Sequence, residues 1–85
     1  MILFSRLECW GPMSKMATIA ADVDKKRVLC RISLKVLRDK FDASEEDPMQ
    51  SIYQHRMTIE EAARKLIEYG AYEEDGSILI QARDL

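Results

Sequence analysis

The chain has 85 residues, 47% hydrophobic and 33% charged, with a net charge of −2. That length holds a single domain, residues 1–85, with a thin core, and no run approaches the ~18 apolar residues of a membrane span. Three glycines leave no phosphate-cradling loop, and Cys9 and Cys30 lack metal or redox spacing, which points to a reducing, cytoplasmic setting.

Taken in order, Ile2 and Phe4, with Leu7, begin an alternating segment that reads as a short edge strand. Arg6 and Glu8 interrupt what a signal peptide would keep apolar, so export is not expected. Trp10-Gly11-Pro12 breaks the strand, and Trp10 anchors the loop on the core. Met16 to Val23 is a second strand, with Ala17, Ile19, Ala21 and Val23 on one face. Asp24-Lys25-Lys26 connects it to the next. Without glycine there, a loop longer than a two-residue primed turn is expected.

The stretch from Arg27 to Phe41 changes hydrophobic period in its middle. Arg27 to Ile32 alternates, with Val28, Cys30 and Ile32 on an apolar face and Arg27, Leu29 and Arg31 on the other. This is the pattern of a sheet packed on one side and wet on the other. At Ser33, a good N-cap, it hands over to a helix whose inward side is Leu34, Leu37 and Phe41. Val36 falls off that stripe. Asp47-Pro48 reads as the start of a second helix. Thr58-Ile59-Glu60-Glu61 reads as a capping box opening a third, with Met57 as its staple. Ile59, Ala62, Ala63, Leu66 and Ile67 form its apolar stripe, and Glu60/Arg64, Glu61/Lys65 and Arg64/Glu68 pair on its wet side. Gly70 suits a left-handed helix end. After the acidic turn Glu73 to Gly76, Ser77 to Ala82 reads as a last, well covered strand. The expectation is an α+β fold: a small antiparallel sheet of about four strands packed on one face by two to three helices, in the order β-β-β-α-α-α-β.

The run Val28 to Leu37 and the pattern His55-Arg56-x-x-Ile59-Glu60-x-x-Ala63 resemble a family of small bacterial proteins, domain-of-unknown-function family 1488. Matching positions are Cys30, Ile32 and Ser33, then Leu37 and Phe41, then Arg56, Ile59, Glu60 and Ala63. Many relatives have Asp-Gly where this chain has Asp24-Lys25-Lys26. The resemblance implies a compact α+β fold in the bacterial cytoplasm, and no activity, cofactor or catalytic residue to carry over.

No catalytic constellation is framed by motif. Cys30 alternates with Val28 and Ile32, the placement of a small buried hydrophobe rather than an activated thiol. Cys9 has nothing to activate it. His55, the only histidine, fits a helix end better than a Cys–His pair. The carboxylates Asp42, Glu45, Glu46 and Asp47 lack calcium-loop spacing, so no metal or cofactor is expected. Charge is unevenly spread: residues 1–24 carry −1, residues 25–40 carry +6 and residues 41–85 carry −7. The preferred expectation is therefore a non-enzymatic module that associates with itself or another protein. Apolar residues left off the stripes, Leu29, Val36, Tyr69 and Tyr72, would supply its surface. The alternative is an anion- or nucleic-acid-binding regulatory protein using Arg27, Arg31, Lys35 and Arg38. An acidic chain repels nucleic acid at long range, which disfavours it.

Overall fold

The computed structural model describes residues 1–85. β1 (Ile2–Gly11), β2 (Met16–Val23) and β3 (Lys26–Ser33) form an antiparallel meander. α1 (Leu34–Phe41), α2 (Met49–Gln54) and α3 (Arg56–Glu68) follow, then β4 (Ile78–Ile80) and a closing 3-10 turn (Ala82–Asp84). The helices carry the chain back so that β4 pairs parallel to β3, and the sheet order is β1-β2-β3-β4. The expected element order is present, in a sheet that is mixed.

Period-two alternation decides which face is covered. Ala17, Ile19 and Ala21 on β2 stand opposite Ile32, Cys30 and Val28 on β3, and all six are buried. Ile78 and Ile80 extend that layer on β4. Leu37, Ile52, Ile59, Ala62, Ala63 and Ile67 close it from the helices. In α3 the buried set recurs at three- and four-residue intervals, which puts it on one stripe. Each buried Ile or Leu contributes about 1.5–3 kcal/mol, so this single layer dominates the stability of so short a chain. Ser33 makes the handover as expected: its Oγ accepts from the Val36 amide at 3.2 Å and caps α1. Val36 is half-buried and packs against the core, as does Trp10.

Four local expectations give way to tertiary structure. β1 runs the full ten residues to Gly11, because Pro12 lies just past its last ladder position, and a bulge between Phe4 and Glu8 shifts its register. The β2–β3 connection is a two-residue turn, Asp24-Lys25, with φ of 49° and 73°. Asp tolerates the left-handed region, and its carboxylate accepts from the N-terminal ammonium of Met1 at 2.8 Å. The capping box at Thr58 does not form. α3 already starts at Arg56, with the Ile59 amide donating to the His55 carbonyl at 3.0 Å, so Thr58 is inside the first turn. Asp47 likewise makes no side-chain cap on α2, whose flanking residue is Pro48. Gly70 behaves as expected, at φ 72°.

Candidate functional site

Two surfaces remain once the core is closed. The first is the face of the sheet that no helix covers. Along β2 and β3 its rows are Asp22 beside Arg27, Ala20 beside Leu29, and Thr18 beside Arg31. The last row extends to Cys9 on β1 and Leu79 on β4. Leu29 stands out at 44% exposed while the small Ala20 next to it lies low at 1%. Leu3, opposite Asp22, is also exposed. The Arg27 Nε donates to the Asp22 carboxylate at 3.5 Å. Arg31 reaches Asp75 only at 3.9 Å and its Nε has no hydrogen-bond partner. Asp75 itself is held below the usual carboxylate range, first by the Ser77 hydroxyl and amide and to a smaller degree by Arg31.

The second surface is where β1 meets α3. Glu8 pairs with Ile19 and shares the alternation of Phe4 and Trp10, so its carboxylate faces the helix-covered side. There it accepts from the Arg56 Nη1. The same guanidinium donates through Nε to Glu60 at 2.5 Å and through Nη2 to the Ser5 carbonyl at 2.6 Å. Glu8 and Arg56 are 13% and 20% exposed at the side chain, against 41% and 53% for Asp22 and Arg27. Phe4, Ser5, Arg6 and Tyr53 complete a cavity of about 290 Å³ around the cluster. Inside the bulge, the Leu7 amide donates to the Ser5 Oγ at 3.1 Å. Two backbone groups in the middle of the sheet's edge strand are thus engaged by side chains, which interrupts it as a template for another strand. Glu60 serves Arg56 rather than Arg64, whose guanidinium lies 5.6 Å over the Phe4 ring. The ion pair that α3 makes four residues apart is thus Arg56 with Glu60, in place of the expected Glu60 with Arg64.

The four basic residues singled out in the sequence fall into two groups. Arg27 and Arg31 stand on the open sheet face. Lys35 and Arg38 line a shallow hollow of about 280 Å³ at the start of α1 with Ser14, Lys15 and Ser33, and Arg38 donates to Glu45 at 2.8 Å. Of the four expected interaction residues, Leu29 is on the open face. Tyr72 borders a hollow at the β2–β3 hairpin end with Val23 and Arg27, and Tyr69 is exposed where α3 ends. Alternation places Glu8 with Phe4 and Trp10, but it went unnoticed in the sequence because its partner Arg56 is 48 residues away. The Arg56/Glu60 spacing was the one readable trace of the cluster.

Cys30 lies fully inside the core, and its thiol is pushed up from 9.0 to about 11, by burial first and against the pull of Arg56. His55, between α2 and α3, stacks on Phe41 with ring centroids 4.1 Å apart. Cys9 is exposed. No three His, Cys, Asp or Glu side chains gather as a metal-ligating group, and no helix is long and apolar enough to cross a membrane.

The family model described as protein of unknown function (DUF1488) matches residues 2–80. A crystal structure of a protein of unknown function from that family, from Shewanella loihica PV-4, is 28% identical and superposes with a TM-score of 0.86. It covers 94% of this chain, and the match covers 91% of that one. No curated protein matches the sequence.

Proposed function

We propose, from the premise that the chain belongs to the DUF1488 family of proteins of unknown function, that it works as a self-associating module through the open face of its sheet. The observation that carries this reading is Leu29. It is a large apolar side chain at the centre of a face without helices, between a row of paired charges and a row holding Thr18 and Arg31. An apolar centre with a polar rim is the anatomy of an interface core. The other readings have less support. Cys30 is buried with a raised pKa, which suits interior packing rather than a nucleophile. Arg27, Arg31 and Arg38 each have a carboxylate within 4 Å, which leaves less charge for an anion.

The size of the face bounds the strength. Eight residues at ~3.4 Å by four strands at ~4.8 Å give roughly 500 Å² before side-chain relief. A standard partner contributes about 800 Å², so the association is weak and concentration-dependent. Sedimentation equilibrium of the full chain across a wide concentration range tests this. A rising average mass that Leu29→Asp abolishes is the expected result; a strict monomer at millimolar concentration overturns it. An anion binder behaves differently: it remains monomeric alone and binds a polyanion with an affinity that falls steeply with salt.

A further inference from the structure

The geometry points to a specific mate and orientation: a second copy of this chain stacked face to face, on a two-fold axis parallel to the strands and midway between β2 and β3. This rests on the self-association proposed above and goes further, because the face is complementary to itself in only some orientations.

A two-fold axis along the strands keeps each row at its own height and exchanges β2 with β3. Every β2 residue then faces the β3 residue that is its own in-chain neighbour, but from the other copy. In the first row, Asp22 faces Arg27 of the second copy, and the in-chain pair at 3.5 Å becomes a four-charge ring of alternating sign. In the middle row, the exposed Leu29 side chains of the two copies come together across the axis, while Ala20 is already covered within its own chain. In the third row, the Thr18 hydroxyl faces Arg31, supplying an acceptor to a guanidinium whose only carboxylate contact in its own chain is 3.9 Å long. At the flanks Cys9 meets Leu79 of the second copy. Sheets stacked about 10 Å apart and rotated by about 30° keep these matches best near the axis, where Ala20 and Leu29 lie.

The competing two-fold, across the strands, reverses the rows. It brings Arg27 against Arg31 of the second copy and leaves Asp22 facing Thr18, a like-charge contact where the first orientation has attraction. Edge-to-edge pairing through β1 is opposed by the bulge, where Arg56 holds the Ser5 carbonyl and Ser5 holds the Leu7 amide. Charge complementarity therefore selects one arrangement of the second copy.

Charge exchange tests it. Asp22→Arg and Arg27→Asp are surface changes, and far-UV circular dichroism confirms that each variant is folded. Each alone should weaken association about 10-fold or more by sedimentation, and the double variant, which restores attraction in every row contact, should return to within about 3-fold of the wild type. Tighter association of Arg27→Asp, by attraction to Arg31 of the second copy, overturns the orientation in favour of the crossed two-fold. Single variants that associate normally while Leu29→Asp does not would also overturn the orientation and leave self-association standing. A wild-type chain that never associates removes both.

Discussion

The two faces of the sheet use the same chemistry to opposite ends. On the covered side, Arg56 joins Glu8 of β1, Glu60 of its own helix and the Ser5 carbonyl, and ties elements about fifty residues apart. On the open side, Arg27 and Asp22 pair across adjacent strands in water. Removing one member of a mostly buried pair strands the other in a poor solvent, whereas an exposed pair exchanges its contacts for water at little cost. The first arrangement therefore holds the fold, and the second is free to be re-paired with another molecule.

Breaking the covered side has the largest expected effect. Arg56→Met leaves the Glu8 carboxylate uncompensated at 13% exposure and should destabilise the chain by about 3 kcal/mol in urea unfolding. Glu8→Gln in the same background should recover part of that loss; equal stability of the two would deny the cluster its structural role. Losing Arg56 also frees the Ser5 carbonyl on the edge strand, so this variant should aggregate more readily than others of equal stability.

Next in size is alkaline unfolding. Below pH 9 the Cys30 thiol is protonated in both folded and unfolded chains, and its contribution to stability is complete. As pH rises from 9 toward 11, the unfolded thiol ionises while the folded one resists. Stability should drop by about 2–3 kcal/mol over that window. Cys30→Ala should flatten this part of the pH profile, and an unchanged slope would contradict the assignment. Cys9, being exposed, should react with a thiol reagent in the native state while Cys30 does not.

A gain is expected at the β2–β3 turn. Lys25 holds φ at 73°, where glycine carries no steric penalty, so Lys25→Gly should stabilise by about 1 kcal/mol, read as a higher urea midpoint. The open face marks the other end of the scale. Leu29→Asp should change monomer stability by less than about 0.5 kcal/mol while removing association. If it unfolds the chain instead, Leu29 belongs to the core and the contrast between the faces is lost.

Most of the fold was legible because period and burial agree. Val28, Cys30 and Ile32 alternate, Ile59, Ala62, Ala63 and Ile67 recur at helical spacing, and Ser33 caps the junction between the two patterns. The misses share a cause. Thr58-x-x-Glu61 satisfies a capping rule written for an isolated helix start, but α3 begins earlier, at Arg56, whose guanidinium is engaged by β1. Asp24-Lys25 adopts a turn normally reserved for glycine, with Asp24 tied to the N-terminus. Glu8 shares the alternation of Phe4 and Trp10, but the Arg56 that makes an inward carboxylate tolerable lies 48 residues along the chain. The basic cluster was visible as composition, but its division between the open sheet face and the start of α1 depends on the β3–α1 handover. Leu29 stood out as an apolar residue on a charged strand face, and that was the one local sign of the surface on which the functional reading rests.

The most direct test of the open face as the working surface is a dilution series from millimolar to micromolar, followed residue by residue through backbone amide chemical shifts. The expected result is concentration-dependent shifts at Thr18, Ala20, Asp22, Arg27, Leu29 and Arg31, with α3 and the Arg56 cavity unmoved. Shifts confined to the helices or the cavity, or none at any concentration, would contradict it.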